Sequence, residues 1–189
     1  MSEILRGIRQ RKSFSVKLQM LFAAMAVAAA VALPQLVHLI GRISGTGTSL
    51  GVALLPMHLP ILFVGLLAGP VAGGLAGALA PLASFALSGM PVLGNLPLMV
   101  AEVAIYGLVA GLLREVKLPS IAKLLVAQLA GRVVYVLAVV LAVYAAGRSD
   151  LGVITALQSF KAGLFGLVLQ WTLLPLLMCV LEQKAGKSE

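Results

Sequence analysis

Residues 43–101, ISGTGTSLGVALLPMHLPILFVGLLAGPVAGGLAGALAPLASFALSGMPVLGNLPLMVA, lie between Arg42 and Glu102 and hold no ionised side chain. Soluble domains carry about 25% charged residues, so a run of this length leaves no surface suited to water. Turn signals divide it: Gly45-Thr46-Gly47, Pro56, Gly69-Pro70 and Ser88-Gly89-Met90-Pro91. The apolar pieces between these turns predict helices that face lipid.

The rest of the chain agrees. Its 189 residues are 61% hydrophobic and 11% charged, with mean hydropathy +1.09, which excludes a soluble fold and a disordered one. Barrel strands need apolar/polar alternation, and these runs do not alternate. A spanning helix takes about 20 apolar residues. Spans are expected at residues 16–40, 57–68, 71–87, 96–113, 121–146 and 158–181. The second is too short to cross alone; it tilts, breaks, or extends back into the Gly/Thr-rich loop. The predicted fold is an all-α membrane protein, a six-transmembrane-helix bundle in one domain (18–181). A basic segment (1–17) precedes it and a short tail (182–189) follows. The basic start resembles a signal peptide, but the apolar run after Lys17 is too long for one and more spans follow.

Lysine and arginine placement orients the bundle. With the N-terminus inside, Arg6, Arg9, Arg11, Lys12, Lys17, Arg114, Lys117, Lys123, Lys184 and Lys187 are cytoplasmic, against Arg42, Arg148 and Lys161 outside. Both termini are therefore expected in the cytoplasm. The formal charge of +8 reads as membrane topology, since no aromatic-interleaved basic patch points to nucleic acid. Cys179 alone supplies neither a disulfide nor a zinc site, and its default role is packing. Glycines recur at Gly65, Gly69, Gly73 and Gly77 and again at Gly107 and Gly111, a spacing that lets helix backbones approach. Ala24, Ala28 and Ala32 make a smooth ridge on the first helix, suited to docking another membrane protein or to packing within a crowded bundle.

Ionisable residues in hydrocarbon cost about 2.5–3.5 kcal/mol each on insertion scales, so each asks for a reason. Glu102 lies about 9 Å below the outer end of its helix, with Tyr106 on the same face and Asn95 above. Arg132 shares a face with Gln128 and Tyr135. Counted from the helix ends, the two charges differ in depth by roughly 13 Å. That count disfavours a direct pair and leaves Arg132 free to snorkel toward cytoplasmic headgroups. Gln35 and His38 end the first helix and His58 opens the second. Two imidazoles are few for a metal, so the expectation is hydrogen bonding to loop backbone and no metal or other cofactor. Lys161 and Gln158 share a face at the start of the sixth helix, while Gln170 points the opposite way and Trp171 reads as packing or lipid-facing.

Together Gln35, His38, His58, Asn95, Glu102, Tyr106, Arg132, Tyr135 and Lys161 suggest a substrate cavity open to the outside. Helices one, four, five and six would line it, under the first and third external loops. Glu102 would favour a ligand amine or ring N–H; Arg132 or Lys161 would favour a carboxylate. The chain has no HExxH, activated serine, paired aspartates or phosphate-cradling loop, so an enzyme is not expected. Uphill transport would then draw energy from a partner or an ion gradient.

The ordered series Met57-His58-Leu59-Pro60, Gly65, Gly69-Pro70, Gly73, Gly77 and Pro81, then Ser88-Gly89-Met90-Pro91, Met99, Glu102, Tyr106-Gly107 and Gly111, resembles a pattern in the S components of energy-coupling factor (ECF) transporters. These are the vitamin-capturing membrane subunits of prokaryotic importers. The resemblance covers about residues 16–181, is clearest over 55–113, and is mostly hydropathic in the last two helices. It implies six helices with cytoplasmic termini in a prokaryotic inner membrane. It also implies an outward pocket closed by the loop between helices one and two, and delivery of the ligand by toppling in the bilayer. Its implied partners are a transmembrane coupling protein, docked on the Ala24/Ala28/Ala32 ridge, and two cytoplasmic ATPases. Its implied ligands are vitamin precursors of hydroxymethylpyrimidine, pyridoxine or benzimidazole type, or pantothenate. The competing expectation is a stand-alone ion-coupled secondary transporter.

Overall fold

The computed structural model describes residues 14–47, 49–147, 161 and 163–186. Every regular element among them is helical: α1 (Val16–Ile43), α2 (Ser49–Leu54), α3 (His58–Ala68), α4 (Pro70–Ser88), α5 (Leu96–Leu112), a 3-10 turn (Leu113–Glu115), α6 (Ser120–Ala146) and α7 (Leu164–Gly186). Six stretches are long and apolar enough to cross a membrane, α2 and α3 together forming the second, Ser49–Ala68. The chain is an all-α, multi-pass membrane protein.

The second span is thus a broken helix that reaches back into the Gly/Thr-rich loop. Its break falls at residues 55–57, where Leu55 takes φ 48°, a left-handed conformation that costs a branched side chain free energy. Non-helical backbone at membrane depth persists only against protein or a cavity, and this break lies against both. The last span runs on to Gly186, so residues 182–186 continue the helix instead of forming a separate tail. The expected basic residues 1–13 and the tail end 187–189 lie outside the described residues.

α3 is apolar all round and almost wholly buried, as such a helix must be. It packs against α1, α4, α5 and α7. Apolar side chains gain nothing by leaving lipid, so close backbone approach holds the bundle together. A Cβ at Gly73 would collide with the Gly107 carbonyl, one at Gly107 with the Gly73 carbonyl, and one at Gly77 with the Val103 carbonyl. A Cβ at Gly65 would lie 2.5 Å from the Gly107 carbonyl oxygen. The spaced glycines are therefore a seam joining α3, α4 and α5. Gly69, at φ 106°, turns the chain from α3 into α4, and Pro70 opens the next helix where its missing N–H costs nothing.

A second close approach sets the register of α6. A Cβ at Gly131 would strike the Tyr106 ring and come within 2.9 Å of the Glu102 carbonyl. Gly131 lies well inside α6 (Ser120–Ala146), whereas Glu102 is early in α5 (Leu96–Leu112). α6 therefore overshoots the start of α5 by about 13 Å along its axis at 1.5 Å per residue.

The end of the bundle carrying Arg114 and Lys123 is more ordered than a cationic loop would be. Both side chains are buried. Lys123 Nζ donates to the Arg114 carbonyl at 2.9 Å, and the Arg114 guanidinium lies 5.0 Å from the centroid of the Phe14 ring. Cys179, expected in the packing, is exposed on the outside of the bundle, within 3.5 Å of Gln183 Nε2.

Candidate functional site

At the opposite end lies a cavity of about 300 Å³, the low end of the range for small-molecule sites. α1 contributes Pro34, Gln35 and His38; the broken second span contributes Gly51, Val52, Leu55, Pro56, Met57 and His58. Ser84 comes from α4, Met90, Pro91 and Asn95 from the loop before α5, Met99 and Glu102 from α5, and Arg132 and Tyr135 from α6.

The floor is a charge cluster. Arg132 Nη1 lies 2.9 Å from Glu102 Oε1, and the Tyr106 hydroxyl donates to the same oxygen at 2.8 Å. The depth count that disfavoured this pair assumed helices ending at one level. The α6 overshoot of about 13 Å cancels that offset. Arg132 faces the cavity instead of snorkelling toward headgroups, with 16% of its side chain exposed against 6% for Glu102. Paired this tightly, they present no lone charge.

His58 sits beside the cluster, 4% exposed, its ring centroid 5.3 Å from that of Tyr106 at an interplanar angle of 56°. Neither ring nitrogen makes a hydrogen bond of ordinary geometry, and Nδ1 of His38 is likewise buried without one. Of the hydrogen bonding to loop backbone expected of these imidazoles, His58 keeps an interaction with the Leu55 backbone, whereas His38 Nδ1 has none. The His38 ring packs on α2, within 2.7 Å of where a Cβ of Gly51 would stand. Among the described residues no group of three or more His, Cys, Asp or Glu could hold a metal.

Of the expected site residues, the structure brings Gln35, His38, His58, Asn95, Glu102, Arg132 and Tyr135 to one cavity. Tyr106 stands behind it and acts through Glu102. Lys161 is exposed and does not line it; Gln158 and Arg148 lie outside the described residues. The reason for the Lys161 difference is that α7 packs on the outer side of α2. A Cβ at Gly163 would stand 2.8 Å from the Leu55 side chain, and one at Gly166 would stand 2.6 Å from the Leu54 backbone. α2, which lies in the expected first external loop, and the loop before α5 cover the cavity; residues 148–160, with the expected third loop, lie outside the described residues.

A polar chain braces the lid from behind. Trp171 Nε1 donates to Gln128 Oε1 at 2.6 Å, Gln128 Nε2 to Gln170 Oε1 at 2.8 Å, and Gln170 Nε2 to the Leu55 carbonyl at 3.4 Å. Trp171 is thus a hydrogen-bonding partner and not simply a lipid-facing ring. Sequence reasoning missed Ser84, buried and lining the cavity; a hydroxyl in an otherwise apolar span was the available signal. It missed Gly51 and Leu55, which carry no chemical signal at all.

Comparison of the chain with protein-family models, with curated proteins and with solved structures gives no match. The functional reading rests on the geometry and on the resemblance in the residue series.

Proposed function

We propose that this chain is the substrate-capturing membrane subunit of an ATP-driven ECF importer. It binds a small water-soluble vitamin or vitamin precursor from outside and delivers it by association with a coupling module. The observation that carries this reading is the cavity under α2, where polar groups from α1, α3, α5 and α6 converge in an otherwise apolar bundle. Polar side chains in hydrocarbon are expensive, and here they are gathered around a hollow of nutrient size. A binder of this kind needs no catalytic group of its own, and an enzymatic role is not proposed.

A second feature supports the partner. Ala24, Ala28 and Ala32 are exposed on α1 and, with Leu75, Leu79, Ala83 and Leu87 of α4, line a shallow apolar groove along the outside of the bundle. Small side chains let another helix come close. The proposed occupant is the transmembrane coupling protein, which in turn carries two cytoplasmic ATPases. With both termini cytoplasmic in a prokaryotic inner membrane, the cavity opens to the exterior. The ion-coupled alternative is less well supported, because the acid among the cavity-lining residues is already bound to Arg132.

The test is co-expression with an ECF coupling protein and its ATPases, followed by ATP-dependent uptake of the candidate precursors into proteoliposomes. Uptake that requires the ATPases and falls with Ala28→Trp supports the proposal. Uptake by the chain alone, driven by a proton gradient, overturns it.

A further inference from the structure

We propose that the bundle carries a second binding site, at the end away from the cavity under α2, and that it holds the phosphate group of an anionic phospholipid. A hollow of about 160 Å³ lies there between the α5–α6 connection, the start of α6 and the end of α7. Small-molecule sites take roughly 300 Å³ or more, so this one suits a single compact group with a few waters. Arg114, Ser120, Lys123 and Glu182 bring polar atoms to its wall, alongside Leu66 and Met178. The proposal does not depend on what the cavity under α2 holds.

Charge selects an anion. Arg114 and Lys123 are 7% and 5% exposed, and a buried cation is costly unless anions or acceptors meet it. Lys123 is met in part by the Arg114 carbonyl, and Arg114 by the Phe14 ring. Glu182 is the acid on this wall, but it is exposed, and water weakens the pairing of a carboxylate so placed. The lining side chains therefore sum to one positive charge. Together an ammonium and a guanidinium offer about eight N–H donors, against about four acceptor sites on a carboxylate. The start of α6 acts in the same direction. Its N-cap, Pro119, makes no side-chain capping bond, which leaves first-turn N–H groups to water or to an anion. Pro119 and Ser120 both line the hollow, so that turn borders it.

Depth selects the source. The spans concerned run Ser120–Ala145 and Leu164–Lys184, so Ser120 begins one and Glu182 stands near the end of the other. The hollow thus lies where hydrocarbon gives way to headgroups, the level at which basic pockets between transmembrane helices bind anionic lipids. Lys117 and Lys184, both exposed at this end, add to the attraction. Ile121 and Leu125, exposed one turn apart on α6, offer an apolar track for the acyl chains.

Native mass spectrometry of the full chain, equilibrated in detergent with phosphatidylglycerol or phosphatidylcholine, tests this, together with melts in which each lipid or inorganic phosphate is added. Phosphatidylglycerol should be retained in preference to phosphatidylcholine and should raise Tm. Ser120→Asp puts an acid where it favours the helix start but repels phosphate, so it should keep the fold and lose the lipid. Glu182→Gln, at a solvent-facing position, should tighten binding about fivefold, the worth of one charge near the headgroups; Lys123→Gln should weaken it by as much. Retention of neither lipid, equal retention of both, or phosphatidylglycerol binding unchanged in Ser120→Asp and Glu182→Gln overturns the proposal. If inorganic phosphate raises Tm as much as phosphatidylglycerol does, and Ser120→Asp abolishes that rise, the hollow takes free phosphate and the lipid assignment is overturned.

Discussion

Replacing Arg132 by Leu should destabilise the bundle far more than removing both members of its ion pair. The Glu102 carboxylate is 6% exposed, so without Arg132 it keeps only the Tyr106 bond among its described partners. Breaking a buried pair from one side costs about 3–5 kcal/mol. The surviving Tyr106 bond and the 16% exposure of Arg132 place this case near the lower figure. At about 2–4 °C per kcal/mol for a chain of this size, Arg132→Leu should lower Tm by roughly 6–12 °C. The double variant Glu102→Gln/Arg132→Leu leaves no charge behind and should fall within about 1 kcal/mol of the wild type. Trp171 is the sole tryptophan and bonds to Gln128 of α6, so its emission reports loss of α6–α7 packing during a detergent melt. A coupling energy of about 2–3 kcal/mol is expected from the cycle. Additive single and double variants would show that the charges do not meet, and the cavity floor as described would be wrong.

Other outcomes follow from the packing. Gly73→Val should abolish the α4–α5 seam and the yield of monodisperse protein, because its Cβ meets the Gly107 carbonyl. Gly74→Ala, whose nearest neighbour is the Leu108 Cβ at 3.6 Å, should be tolerated; equal loss in both would refute the seam. Gln170→Leu should cost about 1–3 kcal/mol by orphaning Gln128, and should speed hydrogen exchange in residues 49–55 more than in α4. Cys179, on the lipid side of the bundle, should react with a hydrophobic maleimide and resist a charged one in intact membranes. Labelling by the charged reagent would place this face in water.

The number of helices was legible because lipid removes the option of exposed backbone, so charge-free runs between turn signals map directly onto spans. Much of the cavity was legible for the same reason: Glu102, Arg132, His38 and His58 have few reasons to sit in hydrocarbon other than a shared hollow. Relative height was not. Helix ends read from Gly147 and Leu96 say nothing of where two helices cross, and that is fixed by Gly131 against Tyr106. A glycine's role as a contact point shows only once its neighbour is in place. The lid was legible in part, since α2 belongs to the loop between helices one and two expected over the mouth. The place of Lys161 was not legible: Gly163 and Gly166 admit the broken second span against α7, and Lys161 stands outside the cavity lining.

The account stands or falls on whether the hollow beneath α2 holds a nutrient, and mass spectrometry of the small molecule carried by protein purified from its own membranes measures that directly. One small vitamin or vitamin precursor at near-equimolar occupancy is expected, and it should disappear when Ser84→Phe fills the cavity. Equal recovery from the wild type and the filled variant, or nothing from either, would contradict the account.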